Sequence, residues 1–344
     1  MPANLEPFSD LHSYAEAPEL WTMADVDELQ CWPRLLTSVA TIGPPRPDDG
    51  TYSPAERTVM AGNMSLAFEQ VDMPLPDNLS DDEHRLELKR HAELRINRYL
   101  GWAGIAAGDT AVMYHQGDWW NEDLVITDVD EHFTPGASDV ATVLPVRSDL
   151  FVTRNPRVAL ACRPADCAVV GMQGLDGDQQ PILAMGHYGW KGCNVGYLDA
   201  TLEHLTKLGV TADSLRVSIS PGIRAESYSY YSYEHPVDND NSTHFRHPDR
   251  KLLFTDVTTN EDLTDPLYLF GINVRNFIVS KLVDFGMDEG KIFDDHTDTG
   301  RHESGHSSHH RTHHLGATAT LLAGKTQHPE PYSRDLVVAT MGLL

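Results

Sequence analysis

The strongest constraint on this chain is a succession of short apolar runs, each closed by a polar or glycine-containing segment. AVMYH (Ala111 to His115), DLVITDV (Asp123 to Val129), ATVLPV (Ala141 to Val146), RVALAC (Arg157 to Cys162), PILAMGH (Pro181 to His187) and LRVSIS (Leu215 to Ser220) are too short for typical helices and read as strands. A further run, Leu336 to Met341, reads as a last strand. Between them the period changes. Leu88, Ala92, Ile96 and Leu100 recur at i+4, so one apolar stripe predicts a helix ending near Gly101. Leu198, Leu202, Leu205 and Leu208 share a helix face that Gly209 caps. Val274, Phe277, Ile278, Lys281, Leu282 and Phe285 fit a helix that stops at Gly286. No Gly-x-Gly-x-x-Gly turn or P-loop follows a strand, which removes support for a dinucleotide fold. The expectation is a mixed α/β (α+β) fold, a layered α/β/β/α arrangement of mixed sheets covered by helices. Residues 1–55, with the PPRPDDG stretch at Pro44 to Gly50, read as an irregular extension, and 56–344 as a single main domain.

Composition narrows the class of partner. A chain of 344 residues with 40% hydrophobic content can bury a full core. Its 51 acidic residues against 26 basic ones give a formal charge of -25, so it lacks the basic footprint that phosphate backbones require. Nucleic acid is therefore not expected as a partner, and the acidity reads as solubility. Cys31, Cys162, Cys167 and Cys193 include no Cys-x-x-Cys pair, which argues against a disulfide scaffold or a zinc finger. The first residues lack the basic start and apolar run of a secretory signal. No apolar stretch approaches the ~20 residues that span a bilayer. A cytoplasmic protein without a membrane partner is expected.

Chemistry concentrates where strands give way to loops. YHQG (Tyr114 to Gly117) closes the first run, PADC (Pro164 to Cys167) follows RVALAC, and HYGWKG (His187 to Gly192) overlaps the end of PILAMGH. His115, Cys167 and His187 thus offer one metal donor each. They are separated by 52 and 20 residues, far from zinc-finger spacing, so three strands must converge if they meet. Two imidazoles and one thiolate suit zinc and leave a fourth position for water or substrate. Taken alone, a cysteine is more often a small hydrophobe, and a strand-end histidine is common.

The segments SDLFVTRNPRVALACRPADC, PILAMGHYGWKG and VSISPGIRAESY, in that order, resemble the signature segments of the YfiH/YlmD family. It is also called the multicopper polyphenol oxidase or laccase-like family. Its pattern reads A-D-x-x-V-T…T-A-D-C, H-A-G-W-R-G and G-P-x-I, and the match runs from about Ala111 to Gly222, more loosely to the end of the chain. The resemblance implies a zinc site on His115, Cys167 and His187. It also implies phosphorolysis of adenosine, inosine and methylthioadenosine, together with adenosine deamination. The partners would then be a small nucleoside and phosphate.

Phosphate must be held locally in so acidic a chain. Arg98, Lys191 and Arg311 are the candidates, aided by backbone amides from Gly189 to Gly192 at the start of a helix, although each charge alone is commonly a solvated surface group. Asp166 would act as general acid or base beside Cys167 or orient a ligand. Trp119 and Trp120 could stack on a purine or simply pack, and the YSYYSY run at Tyr228 to Tyr233 reads as a strand or loop from which one ring could line the pocket.

The chain also departs from the family pattern. Lys191 stands where Arg is usual, which keeps the charge and loses the bidentate fork. Ser220 replaces a common Gly, and His296-Thr297 replaces a Cys-Thr pair. The F-F-S-Y-R-R segment is represented at best by Ser308, His309, His310 and Arg311, within a stretch from His296 to His314 that holds seven histidines. That stretch reads equally as a polar loop binding metal adventitiously or as one closing over substrate. The alternatives to a zinc-dependent purine nucleoside phosphorylase are a copper-dependent polyphenol oxidase, a peptidoglycan-precursor editing hydrolase and a catalytically inactive zinc-binding relative. Copper chemistry would need more imidazoles at fixed positions than the strand ends supply.

Overall fold

The computed structural model describes residues 21–22, 34–37, 80, 83, 110–113, 124–131, 142–143, 148–231, 247–256, 269–301 and 337–341. The helix expected over Leu88 to Leu100, Trp119 and Trp120, and most of the histidine-rich stretch lie outside them.

Among the described residues the strands form three sheets. The first contains β1 (Trp21–Thr22), β2 (Arg34–Thr37), β3 (Thr110–Met113), β5 (Thr142–Val143), β7 (Val158–Cys162) and β15 (Val337–Thr340), in the order β1-β2-β15-β7-β3-β5. The second contains β4 (Ile126–Asp128), β6 (Leu150–Thr153), β8 (Ala168–Leu175), β9 (Pro181–Tyr188), β10 (Arg216–Ile219) and β14 (Ile292–Asp294), in the order β14-β10-β8-β9-β6-β4. A small third sheet joins β11 (Ser229–Tyr231), β13 (Leu269–Ile272) and β12 (Phe254–Asp256). Among the described residues three helices complete the frame: α1 (Trp190–Asn194), α2 (Tyr197–Lys207) and α3 (Val274–Asp284). The mixed α+β class follows from the sequence as expected, and both large sheets mix parallel and antiparallel pairs. The stretch that reads as irregular nevertheless supplies β1 and β2, and β2 pairs with β15 along its length.

Side-chain alternation sorts the second sheet into two buried faces. Phe151, Val169, Leu183 and Met185 meet Val158, Leu160, Cys162, Val337 and Ala339 of the first sheet. The opposite face, with Leu150, Val152, Val170, Met172, Ile182, Ala184, Val217 and Ile219, packs on Leu198, Leu202 and Leu205 of α2 and Phe277, Ile278 and Leu282 of α3. Burial on both faces is why these strands read as unbroken apolar runs instead of alternating ones. Each such side chain contributes roughly 1.5–3 kcal/mol when fully buried. The layers are therefore helix, sheet, sheet, with the third sheet added beside α3 through Phe270 and Ile272.

Glycine closes both long helices where the sequence places it. Gly209 has φ +87°, and Gly286 has φ +101°. At Gly209 a Cβ would come 2.4 Å from the Gly177 backbone nitrogen, so this turn excludes any side chain on two grounds.

Candidate functional site

The site is built at one end of the β8–β9 pair. Their antiparallel register sets Ala168 opposite Tyr188 and Val169 opposite His187. Directly opposed residues share a face, and so do residues two apart along one strand. Cys167 is the bend residue immediately before β8, so it stands beside the end of β9 that carries His187 and Tyr188. His187 is buried near the end of β9, and its backbone N–H donates to the Asp149 carbonyl over 3.4 Å.

Asp166 makes the turn that presents Cys167. Its φ of +80° is left-handed, a conformation that short polar residues such as Asp tolerate better than most. Contacts from far along the chain hold it there. Ile223 N–H donates to the Asp166 carbonyl over 2.9 Å, and the Thr299 hydroxyl donates to Asp166 Oδ1 over 2.8 Å. Gly222 packs so closely that a Cβ would lie 3.0 Å from the Asp166 carbonyl oxygen. These bonds give Asp166 a positioning role: its carboxylate ties the 295–301 segment to the turn carrying Cys167.

Ser220 has a specific task. Its hydroxyl accepts from Val169 N–H over 3.0 Å and donates to the Pro221 carbonyl over 2.9 Å, bracing the first residues of β8. A glycine at this position has no oxygen with which to do this.

Electrostatics brings further groups to the same place. Lys191, in the first turn of α1, is pulled below the ordinary lysine value by partial burial, while the Cys167 charge opposes that shift. Its ammonium lies 5.6 Å from the Trp190 ring centroid. The Tyr228 phenol is pushed well up, first by burial and then by Tyr230, Cys167 and Asp166. Burial likewise pushes the Cys193 thiol up, with Cys167 adding to it. Cys167, His187, Lys191, Asp166 and Tyr228 therefore occupy one neighbourhood.

His115, Arg98 and Arg311 lie outside the described residues. The strand leading to His115 is β3, which ends two residues earlier and runs parallel to β7, with Met113 beside Ala161. The first sheet thus delivers β3 and the strand leading to PADC at the same end. Among the described residues, no three His, Cys, Asp or Glu side chains gather as a metal-holding group. The amides of Gly189 to Gly192 open a helix of only five residues, with Gly189 as its N-cap.

Sequence reading alone misses Thr299, Arg224 and the role of the Ser220 hydroxyl. Arg224 Nη2 lies 2.6 Å from His296 Nδ1, and its backbone N–H donates to Asp298 Oδ1 over 3.1 Å. Their partners are 51 to 133 residues away in sequence, and no periodicity marks them.

No helix among the described residues is long and apolar enough to cross a membrane. No curated protein sequence matches the chain. Solved structures do share its fold. The hypothetical protein YfiH of Bacillus licheniformis is similar with a TM-score of 0.57 and 14% identity, over 90% of this chain and 92% of that one. Neisseria meningitidis protein NMB0706, of family DUF152, gives 0.54 and 14% over 90% and 94%. YlmD from Geobacillus stearothermophilus gives 0.52 and 14% over 90% and 91%. The family model described as multi-copper polyphenol oxidoreductase laccase matches residues 95–325. As that match spans more than half of the sequence and includes Cys167, His187 and Lys191, the chain belongs to this laccase-like family, which is also known as the YfiH/DUF152 family.

Proposed function

We propose that the chain is a zinc-dependent purine nucleoside phosphorylase, with adenosine deamination and methylthioadenosine phosphorolysis as further activities of the same site. The observation that supports this reading is the β8–β9 register, which sets the start of β8, next to Cys167, against the end of β9 that carries His187, with Lys191 close enough to sense the Cys167 charge. A thiolate and an imidazole form a donor pair that suits zinc, and His115 is the third ligand in this reading. Zinc held by these residues would supply Lewis acidity toward the substrate.

The remaining work falls to the chain's own residues. Phosphorolysis joins two small reactants, so most of its acceleration must come from holding phosphate and nucleoside in line. Lys191 offers a partly desolvated ammonium, whose attraction for phosphate is stronger than it would be in bulk water. Tyr228 stays protonated at neutral pH and adds no negative charge beside the thiolate. Asp166 holds the Cys167 turn rather than exchanging protons with substrate, because Thr299 already occupies its Oδ1.

The test combines metal analysis of the purified full chain with an adenosine assay run with and without phosphate. Expected are about one zinc per chain, adenosine consumption that needs phosphate, and loss of both in Cys167→Ala. Metal content unchanged in Cys167→Ser overturns the ligand assignment. Phenol oxidation that appears only on copper loading supports the activity named in the family description instead. Release of product from a muropeptide precursor alone points to the editing hydrolase, and zinc with no turnover at all points to a binding protein.

A further inference from the structure

The turn that presents Cys167 is held in part from a distant segment. The Thr299 hydroxyl donates to Asp166 Oδ1 over 2.8 Å, across 133 positions of sequence. A carboxylate can only accept, so the single hydrogen of the hydroxyl is spent on this bond. Both partners are buried, Thr299 at 2% exposure and Asp166 at 8%. Water is thus a poor substitute for the hydroxyl, and a buried carboxylate oxygen that loses its donor is destabilising.

The donor is itself firmly placed. Gly222 and Asp298 pair as a parallel bridge, with Gly222 N–H donating to the Thr297 carbonyl over 3.4 Å and Thr299 N–H to the Gly222 carbonyl over 3.3 Å. Asp298 Oδ1 accepts from the N–H groups of Arg224 and Gly300 over 3.1 and 3.0 Å, and its Oδ2 accepts from the Ser227 hydroxyl over 2.5 Å. At Gly300 a Cβ would come 2.4 Å from the Ser227 Cβ, so the two segments meet without room for a side chain there. Residues 297–300 are therefore stitched along 222–227. From this seam the Thr299 side chain reaches the Cys167 turn.

What the bond restrains matters to the site. Asp166 stands at φ +80°, where a non-glycine residue stays only when its surroundings hold it. Its backbone carbonyl is fixed by Ile223 N–H over 2.9 Å, and its carboxylate by Thr299. The peptide group after Asp166 leads directly into Cys167. Rotation at Asp166 therefore swings the Cα–Cβ direction of Cys167, and the sulfur with it.

We propose that Thr299 is a positioning residue for the metal donor Cys167: through the Asp166 carboxylate, its hydroxyl holds the turn that sets the direction of the thiolate. The proposal rests on the reading of Cys167 as a zinc ligand and is independent of the substrate that the site turns over.

The experiment measures the zinc affinity of the full chain by competition with a chromophoric chelator. Cobalt(II), loaded in place of zinc, gives a second readout, because a thiolate-to-cobalt charge-transfer band reports sulfur coordination. Thr299→Val removes the hydroxyl at similar volume, Thr299→Ser keeps it, and Ser227→Ala cuts a bond of the same seam that does not touch Asp166. Expected is zinc binding about ten- to a hundred-fold weaker in Thr299→Val, as for loss of a partner behind a metal ligand, with a weaker or shifted cobalt band. Values close to wild type are expected in Thr299→Ser and Ser227→Ala. Thr299→Ala lacks the hydroxyl without setting a methyl against the carboxylate, so it replaces Thr299→Val if melting shows that variant to be unfolded, and the same loss is expected of it. Wild-type affinity and an unaltered band in the folded variant without the hydroxyl overturn the proposal. Weakening of equal size in Ser227→Ala or Thr299→Ser also overturns it, because metal binding would then follow general loosening of the seam. Zinc binding lost in Cys167→Ser but intact without the Thr299 hydroxyl sinks the positioning role alone, whereas zinc binding intact in Cys167→Ser sinks the ligand assignment beneath it.

Discussion

At the scale of single residues, the site depends on short polar side chains that satisfy backbone groups far away in sequence. Ser220 takes up the Val169 N–H at the start of β8, next to the Cys167 turn. Removing its oxygen leaves a buried donor without an acceptor. Ser220→Ala is therefore expected to lower stability by about 1–3 kcal/mol, read as a shift of the urea midpoint, and to loosen the strand that positions Cys167. An unchanged midpoint would show that another acceptor replaces the hydroxyl. Asp166 illustrates the same economy. One residue adopts a left-handed turn, receives Ile223 N–H on its carbonyl and Thr299 on its carboxylate, and so links three segments. The departures of Ser220 and His296 from the family pattern are not blanks in the site, since each carries a defined hydrogen bond.

At the scale of elements, the β8–β9 hairpin brings the segments carrying Cys167 and His187 to one end, and its turn is held by Asp176. That carboxylate accepts from Gln180 and Asp178 backbone N–H groups and pairs with Arg154 Nε over 2.9 Å, which holds its pKa below the ordinary aspartate value. A carboxyl so depressed binds its proton more weakly in the folded chain than in the unfolded one. Its contribution is complete above the unfolded value near ~4 and is lost as pH falls through the folded value. Asp176→Asn should therefore be less stable than the wild type at about pH 6, with the gap closing toward about pH 3. Urea unfolding at both ends checks this, and a gap of constant size would show that the charge of Asp176 is not what matters.

Most of this frame was legible in the sequence. The runs for β7, β9 and β10, the leucine face of α2 and the glycine stops after α2 and α3 all fall where pattern and propensity put them. β8 did not stand out, because Gly171, Gln173 and Gly174 interrupt its apolar run, and pairing with β9 and β10 overrides that weak local signal. Cys167, His187 and Lys191 were legible because strand ends concentrate chemistry. Arg224, His296 and Thr299 were not, because nothing local to a residue announces a partner more than seventy positions away.

At the scale of the whole molecule, two sheets share one apolar layer, and α2 and α3 seal the outer face of the second. A formal charge of -25 is carried around this core. Such a chain repels itself, and the repulsion is screened when the Debye length shrinks from about 30 Å at 0.01 M salt to about 3 Å at 1 M. The melting temperature is expected to rise with sodium chloride over that range, and a fall would mean that paired charges such as Arg154 with Asp176 outweigh the net repulsion. The placement of β15 has a different kind of consequence. It lies between β2 and β7, although it comes after every other described strand in the chain. On a ribosome, the β8–β9 hairpin can zip up as soon as it emerges, while β7 must wait with one row of amides and carbonyls bare until Val337 to Thr340 has been synthesised. The nascent chain thus spends much of its synthesis with a sticky strand edge exposed, and the success of biogenesis depends on whatever shields that edge until the last strand arrives.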